Sequence, residues 1–205
     1  MDIKKIVITG GPCAGKTAAL DHIRRTFTAQ GYTVLTVAET ATELISGGVT
    51  PWGCGSRAAY QTCQLQLQLE KERVFEQAAR TMDADRVLIV CDRGAMDNKA
   101  YMSEADFAAM LNLLGLKEET LRHRYDAVFH LTTAAKGAVD AYTVKNNSAR
   151  TETADEAVAL DDRLLAAWRD HPHFYMICST ADPTEKLRSL IEQVTAFLNQ
   201  YPKGV

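Results

Sequence analysis

The sequence predicts an α/β fold in which a parallel β-sheet is covered by helices on both faces. Short runs rich in β-branched residues alternate along the chain with longer segments of helical periodicity. A glycine-rich turn joins the first predicted strand to the first helix, and no internal repeat or low-complexity linker interrupts the order. Strands that alternate with helices are joined by crossover connections, which make neighbouring strands parallel and give the domain three layers.

Length and composition are those of an ordinary globular domain. The chain has 205 residues, of which 46% are hydrophobic and 24% charged. We expect residues 1–205 to form one domain, with a small lid over about 134–158. The net charge of −3 argues against nucleic acid as the main partner. The longest apolar run, residues 87–91, is far shorter than the roughly 20 residues of a membrane-spanning helix.

Cysteine usage and the N-terminus indicate a cytoplasmic location. The residues after Lys4 and Lys5 are too few and too polar for the apolar core of a signal peptide. The cysteines are odd in number and include no Cys-x-x-Cys pair, which argues against a zinc knuckle and a disulfide framework. We therefore expect reduced, small core residues at Cys13, Cys54, Cys63, Cys91 and Cys178.

The first half of the chain contains two predicted strands and two helices. Residues 3–9 form a β-branched strand, residues 16–29 a helix with a C-cap at Gly31, and residues 32–38 a second strand. Residues 57–82 contain no Gly or Pro and predict a long helix. Its centre, residues 64–69, alternates with a period of two, so a strand is the alternative there.

Two faces of the long helix can be assigned from its pattern. The predicted inward stripe consists of Tyr60, Cys63, Leu67, Val74 and Ala78. Three glutamines lie about one helical turn apart, and they either read the polar edge of a substrate or form an exposed face; we prefer the exposed face. They are Gln61, Gln64 and Gln68.

The second half repeats the alternation of strands and helices. Strands are predicted at 86–92, 126–131 and 174–178. A helix begins after Ser103, which with Asp106 resembles a capping box, and stops at Gly115. A second helix begins at Thr153 and ends before residue 171, and a third begins at Pro183.

The turn after the first strand matches the phosphate-loop pattern G-x-x-x-x-G-K-[ST]. Its residues are Gly10, Gly11, Pro12, Cys13, Ala14, Gly15, Lys16 and Thr17. Backbone N–H groups of such a turn converge on phosphate oxygens, and the positive end of the following helix adds attraction. We expect Lys16 to reach the β- and γ-phosphates of ATP or GTP and the Thr17 hydroxyl to bind Mg²⁺. A chance match is the alternative, but the preceding strand and following helix are the context that this motif requires.

An acidic residue ends the apolar strand at 86–92, as in a Walker B strand. Asp92 there can hold Mg²⁺ or act as a base, or it can simply terminate the strand. Arg93 can contact phosphate or form a structural ion pair. Asp97 can position an acceptor or cap a helix.

Further catalytic candidates lie at the end of the second strand and in the predicted lid. In kinases of this layout the edge at Glu39 faces the acceptor, so Glu39 can accept a hydroxyl proton; a solvated side chain is the alternative. Arg150 and Lys145 lie between the fourth strand and the next helix, where phosphoryl-transfer enzymes often insert a closing lid. A solvated loop is the alternative for both residues.

The phosphate loop, together with residues 38–49, 91–97, 124–130, 148–152 and 167–172, resembles the P-loop domain of the TRPL translocation defect proteins. That domain is grouped with the nicotinamide-riboside kinase domain of NadR in an AAA-like, kinase-like ATP/GTP-binding family. The resemblance covers nearly the whole chain. It implies a kinase-like P-loop fold with a central five-stranded parallel sheet. It also implies nucleotide binding at Gly10 to Thr17, with the segment Asp92-Arg93-Gly94 and Arg150 lining the site.

Two functions follow from these residues. The first is an Mg²⁺-dependent phosphotransferase that moves the γ-phosphoryl group of ATP to a small hydroxyl-bearing, riboside-like acceptor, with Lys16, Asp92, Glu39 and Arg150 as catalytic residues. The second is a nucleotide-dependent switch with slow hydrolysis. The guanine-recognition motif Asn/Thr-Lys-x-Asp is missing. The segment Asn98-Lys-Ala-Tyr101 has its first two residues, but Tyr101 occupies the position of the Asp. The sequence predicts neither the acceptor nor the oligomeric state.

Overall fold

The computed structural model describes residues 1–136 and 153–200. Its five strands form one parallel sheet in the order β2-β3-β1-β4-β5. They are β1 Asp2–Thr9, β2 Thr33–Val37, β3 Arg86–Asp92, β4 Ala127–Leu131 and β5 Phe174–Ile177. Because all strands are parallel, their carboxyl ends meet at one edge of the sheet, where ligands of open α/β sheets bind.

Helices cover both faces of the sheet, so the predicted three-layer α/β fold is confirmed. On β1, Ile6 and Ile8 pack against the first and the last helix, whereas Val7 packs on the opposite face of the sheet. Successive side chains of a strand point to alternate faces. The α-helices of the described residues are α1 Lys16–Ala29, α2 Thr40–Ser46, α3 Arg57–Thr81, α4 Glu104–Leu114, α5 Glu118–Arg122, α6 Ala154–Trp168 and α7 Pro183–Gln200. Two 3₁₀ helices are also present, Ala95–Tyr101 and Ala134–Lys136.

Capping residues begin and end the helices where the sequence predicts. Ser103 accepts a hydrogen bond from the backbone N–H of Asp106, and Gly115 ends α4 in the left-handed conformation. Thr153 and Glu156 form a complete capping box at the start of α6. The short helices α2 and α5 were not predicted, because five to seven residues are too few to establish a helical period.

The inward face of α3 differs from the prediction. The segment 64–69 is helical, as its length favours, but Cys63 and Val74 are exposed. The predicted exposed glutamine face is wrong, because these three side chains are buried. They are Gln61, Gln64 and Gln68. A hydrogen bond explains in part why these glutamines are buried. Gln68 Nε2 donates to the carbonyl oxygen of Arg93 at 3.2 Å, just beyond the sheet edge. The side of α3 that lies over this edge meets polar backbone and needs polar partners.

Two further expectations are tested by the described residues. None of the five cysteines forms a disulfide, but only Cys91 is buried, and Cys63 and Cys178 are exposed, so the expectation that they are core residues holds for one of them. None of the described helices combines the length and apolar composition that crossing a bilayer requires.

Candidate active site

The predicted phosphate loop connects β1 to α1 at the carboxyl edge of the sheet. Gly10 has a φ of 142°, and a Cβ there would lie 2.1 Å from the carbonyl oxygen of Leu131, so only glycine fits. Gly15 is left-handed, with a φ of 85°, and offers no side chain to cap α1. The N–H groups at the start of this 14-residue helix therefore point toward the loop, as in an anion site.

Lys16 folds back over the loop. Its Nζ donates to the carbonyl oxygen of Gly10 at 3.2 Å and lies 3.5 Å from that of Gly11. Burial, together with the nearby Arg93 guanidinium, lowers the pKa of Lys16 to about 8, although the carboxylates of Asp92 and Glu39 act in the opposite direction. An ammonium group held by neutral carbonyls in such surroundings would be stabilised by the negative charge of a phosphate.

Asp92 ends β3 beside the start of the loop. In the parallel register it pairs with Ile8, two residues before Gly10. Its Oδ1 is buried and has no hydrogen-bond partner among the described residues. Burial raises the pKa of Asp92 to about 6, against the attraction of Lys16. A buried carboxylate oxygen without a partner costs free energy unless a cation or donor occupies the site, which favours a ligand role over strand termination.

Two oxygen atoms at the site fit Mg²⁺. Mg²⁺ prefers oxygen ligands and usually takes one or two from the protein and the others from phosphate and water. The unpartnered Oδ1 of Asp92 and the exposed hydroxyl of Thr17, in the first turn of α1, are of this kind. Within residues 1–136 and 153–200, no group of three or more His, Cys, Asp or Glu side chains forms a metal site. Two protein oxygens are the number that Mg²⁺ takes when it is shared with a phosphate.

Arg93 and Glu39 form an ion pair next to the loop. Arg93 Nε donates to Glu39 Oε1 at 2.6 Å, and Arg93 Nη1 donates to the carbonyl oxygen of Gly10 at 3.4 Å. Burial would raise the pKa of Glu39, but Arg93 and the Thr42 hydroxyl lower it to about 2. Glu39 is thus not a solvated strand-end residue. Arg93 has a φ of 70°, and a non-glycine residue in this region typically stores about 1–3 kcal/mol at a functional site.

Asp97 connects three parts of the site and caps no helix. Its carboxylate accepts hydrogen bonds from Thr9 Oγ1 at 2.8 and 2.9 Å and from Trp168 Nε1. Its Oδ2 also lies 3.5 Å from Arg93 Nη1. The side chain is buried. Asp97 therefore fixes the position of Arg93 relative to β1 and α6.

Asp161 on α6 contacts the phosphate loop and was not predicted as a site residue. Its Oδ1 accepts the backbone N–H of Gly11 at 2.8 Å, and its Oδ2 lies 2.8 Å from Lys136 Nζ. His130 Nε2 is 3.1 Å from Oδ1. Burial would raise the pKa of Asp161, but His130 and the other donors lower it to about 2. The signal was present in the sequence, because Asp161 lies on the inward stripe of α6 next to Leu160.

Lys186 on α7 supports the loop from behind and was also missed. Its Nζ donates to the carbonyl oxygens of Ala14 at 2.8 Å and Thr132 at 2.6 Å, and to Ser179 Oγ at 3.0 Å. Burial lowers the pKa of Lys186 to about 8. A lysine four residues before buried Leu190, on an otherwise apolar helix face, was the available signal.

The structure brings together most of the predicted site residues and leaves one group outside. Lys16, Asp92, Arg93 and Glu39 interact electrostatically around the phosphate loop. Arg150 and Lys145 lie outside the described residues. Of the predicted lid at about 134–158, the structure describes the 3₁₀ helix Ala134–Lys136 and the start of α6.

Comparison with known proteins adds a family model and a fold. A model described as an AAA domain matches residues 5–186. None of the curated proteins matches the chain. Deoxyadenosine kinase from M. mycoides with the products dCMP and a flexible dCDP bound superposes with a TM-score of 0.60 at 15% identity, covering 96% of this chain and 100% of the kinase. The structure of that kinase with dATP bound superposes with a TM-score of 0.59 at 13% identity, covering 94% of this chain and 99% of the kinase. At identities this low, the superpositions show that the fold is shared and nothing beyond the fold.

Proposed function

The chain belongs to the AAA domain family and has a kinase-like P-loop fold, and on that premise we propose that it is an Mg²⁺-dependent phosphotransferase. It transfers the γ-phosphoryl group of ATP, or of GTP, to a hydroxyl group of a small riboside-like acceptor. We propose further that residues 1–205 form one domain and that the protein acts in the cytoplasm.

One observation carries this proposal. Around the open N-terminus of α1, a lysine bonded to neutral carbonyls lies near a carboxylate with one buried oxygen that no described residue contacts by a hydrogen bond. The pKa of Lys16 and the pKa of Asp92 are both shifted toward the neutral forms by burial. A bound Mg-nucleotide supplies a negative charge for Lys16 and a cation for Asp92, so it relieves both costs at once.

Each residue has a separate role in the transfer. Lys16 binds the β- and γ-phosphates and neutralises charge that develops on them, and Thr17 and Asp92 would hold Mg²⁺. When bound, the metal supplies Lewis-acid neutralisation of the phosphate oxygens. Glu39, ionised and paired with Arg93, accepts the hydrogen bond of the acceptor hydroxyl and orients it for in-line attack on the γ-phosphorus. It takes the hydroxyl proton as the bond between the γ-phosphorus and the β-phosphate oxygen breaks. Because the transition state is loose, orientation matters more than basicity.

Arg150 completes the site from the lid in this proposal. A guanidinium group that arrives on closure meets the γ-phosphoryl group as its charge redistributes, and the planar fork can bind two of its oxygens. The segment that carries Arg150 joins Lys136, which bonds to Asp161 and Asp162, to the capping box at Thr153. The described residues on the two sides of the segment 137–152 are therefore held at α6, Lys136 by its ion pairs with Asp161 and Asp162 and Thr153 as the N-cap.

The acceptor class rests on two resemblances. The first is the resemblance to the NadR and TRPL type of P-loop domain. It supports a riboside acceptor because the NadR domain is a nicotinamide-riboside kinase. The M. mycoides kinase with the same fold binds dATP in one structure and dCMP with dCDP in another, which supports nucleoside-sized ligands. Together they favour a riboside over a protein or lipid hydroxyl.

A phosphorylation screen tests the proposal. Purified protein is incubated with Mg²⁺, γ-labelled ATP or GTP, and a panel of ribosides and nucleosides, with a reaction lacking acceptor as the control for hydrolysis. We expect label to appear in a riboside at a rate at least tenfold above hydrolysis. Nucleotide binding with turnover that no acceptor accelerates would contradict the transferase and favour a nucleotide-dependent switch.

A further inference from the structure

The peptide bond between Gly10 and Gly11 opens the phosphate loop and carries contacts on both of its sides. Its N–H, on Gly11, donates to Asp161 Oδ1 at 2.8 Å. Its carbonyl oxygen, on Gly10, accepts from Lys16 Nζ at 3.2 Å and from Arg93 Nη1 at 3.4 Å. The peptide is trans and planar, so its N–H and C=O groups point in opposite directions. Asp161 therefore lies on one side of this peptide and the two cationic side chains lie on the other.

Glycine on both sides leaves this peptide free to turn over unless a partner holds it. A peptide turns over through opposite changes in the ψ of its first residue and the φ of its second, and glycine adopts both signs of φ at little cost. Gly10 already has a φ of 142°, a conformation that other residues rarely adopt. In the turned-over peptide, the carbonyl group would point away from Lys16 and Arg93. A fixed acceptor for the Gly11 N–H keeps the peptide in the observed orientation.

Asp161 is held in place as that acceptor. Its side chain is fully buried, and α6 lies so close to the loop that a Cβ on Gly11 would be 2.9 Å from the Cβ of Asp161. His130 Nε2 lies 3.1 Å from Oδ1, and Lys136 Nζ lies 2.8 Å from Oδ2. These groups offset the cost of burying the carboxylate. An anionic acceptor also polarises the peptide, which makes the Gly10 carbonyl a stronger acceptor for the two cationic side chains.

We propose that Asp161 is a positioning residue of the active site, which acts through the peptide between Gly10 and Gly11 to hold Lys16 and Arg93 toward the phosphates. Asp161 faces the N–H side of this peptide and acts on the nucleotide only through the two cationic side chains. The inference deepens the proposed function and rests on it for the identity of the ligand, a nucleoside triphosphate with Mg²⁺.

Calorimetric titration with ATP and Mg²⁺ measures this effect without a transfer step. Asp161→Ala removes the acceptor, so the nucleotide must order the peptide and both cationic side chains as it binds. Loss of one hydrogen bond to a charged group corresponds to a rise of about 10- to 100-fold in the Kd. Asp161→Asn keeps an oxygen that accepts the Gly11 N–H, so its Kd should lie within about fivefold of the parent value.

Asp162→Ala is the matched control. Asp162 is the exposed neighbour of Asp161 on α6 and also pairs with Lys136, at 2.7 Å, but it forms no hydrogen bond or ion pair with residues 10–17 in the described structure. Its substitution should leave the Kd within about twofold of the parent value. If Asp161 only stabilised the fold, Asp161→Ala would lower the melting temperature and the folded variant would bind Mg-ATP as the parent does. That result would overturn the inference.

Hydrogen exchange at the Gly11 amide tests the contact directly. Labelling with ¹⁵N-glycine restricts the amide spectrum to the 12 glycines of the chain. In the ligand-free parent, we expect the Gly11 amide to exchange at least about tenfold more slowly than that of exposed Gly55. Asp161→Ala should remove this protection, whereas Asp162→Ala should keep it. An unprotected Gly11 amide in the parent would overturn the inference even if Asp161→Ala does not fold.

The two measurements separate failure of this inference from failure of the proposed function. A parent that binds no Mg-ATP would contradict the proposed function, and exchange at the Gly11 amide would then decide the role of Asp161 alone. Binding of Mg-ATP that Asp161→Ala leaves unchanged would overturn the inference and leave the proposed function standing.

Discussion

Helix α3 passes two groups of buried charged side chains that are built in opposite ways. The Glu72 cluster consists of Lys5, Glu72, Glu76, Arg124 and Tyr125. Glu72 is fully buried, accepts a hydrogen bond from the Tyr125 hydroxyl at 2.8 Å, and lies 3.3 Å from Lys5 Nζ. Lys5 also pairs with Glu76. Each charge in this cluster has a partner of opposite charge or a hydrogen bond from the protein.

The phosphate-loop cluster consists of Lys16, Glu39, Asp92 and Arg93, and it is only partly satisfied. Glu39 and Arg93 pair with each other, but Lys16 bonds to neutral carbonyls and Asp92 keeps a buried oxygen without a partner among the described residues. In the Glu72 cluster, partners within the protein therefore offset the free-energy cost of burying the charges. In the phosphate-loop cluster, the described residues offset that cost only in part. The difference is what we expect if the Glu72 cluster stabilises the fold and the phosphate-loop cluster binds the proposed Mg-nucleotide.

The largest effect is expected in the Glu72 cluster. Glu72→Ala leaves Lys5 with one carboxylate partner and removes the acceptor of Tyr125, so the free energy of unfolding should fall by about 3–5 kcal/mol. Urea denaturation measures it, with Glu70→Ala, an exposed change on the same helix, expected within about 0.5 kcal/mol of the parent. ATP affinity of folded Glu72→Ala should equal that of the parent. A loss of ATP binding would erase the distinction between the two clusters.

Substitution of Arg150 tests whether the phosphate-loop site catalyses phosphoryl transfer. If Arg150 binds the γ-phosphoryl group only in the transition state, Arg150→Ala lowers turnover by about 10²-fold and leaves nucleotide affinity within about threefold. Arg150→Lys should recover only part of the rate, because it keeps the charge and loses the planar fork. Steady-state kinetics measure both, with Asn146→Ala as the uncharged control from the same segment, expected to leave turnover unchanged. Equal losses of binding and turnover would instead assign Arg150 to the ground-state phosphate site.

Asp92→Asn should stabilise the ligand-free protein while weakening its metal-dependent activity. Because the pKa of Asp92 is raised from 3.8 to about 6, the folded state binds this proton more tightly than the unfolded chain does. The free energy of unfolding of the parent therefore decreases as pH rises from about 4 to about 6. At pH 7 the variant, which carries no charge at this position, should be more stable by about 1–2 kcal/mol.

Two titrations measure these opposite effects of Asp92→Asn. Urea denaturation at pH 4, 5, 6 and 7 should give a stability difference that grows with pH, and Mg²⁺ titration of turnover should show an apparent affinity at least tenfold weaker. An unchanged Mg²⁺ dependence, or a variant less stable than the parent at pH 7, would return Asp92 to the role of a strand terminator.

The sequence predicts the parts of this molecule that repeat a local pattern. The five strands, the capping of α4 and α6, and the loop between β1 and α1 are set by neighbours within a few residues, and these predictions are confirmed. The orientation of α3 was predicted incorrectly, because hydrophobic periodicity assumes that an inward face is apolar. At the carboxyl edge of a sheet the inward face meets unpaired backbone and charge, and Gln61 and Gln68 face inward there.

Contacts between distant segments account for the site residues that were missed. Asp161 reaches Gly11 across 150 positions of the chain, and Lys186 reaches Ala14 across 172. No local spacing encodes such pairs. A charged residue on an apolar helix face is the signal that remains in the sequence, and it indicates that a partner exists without identifying it.

Substituting one lysine from each cluster tests the central distinction most directly. Lys16→Met and Lys5→Met remove the same charge and keep a similar length, and thermal unfolding is measured for each with and without ATP and Mg²⁺. We expect Lys16→Met to keep the melting temperature of the ligand-free parent and to lose its nucleotide-induced rise, because Lys16 binds the phosphates in the proposed site. We expect Lys5→Met to lower the melting temperature and to keep that rise in full. A nucleotide-induced rise that survives in Lys16→Met, or that disappears in folded Lys5→Met, would contradict this distinction.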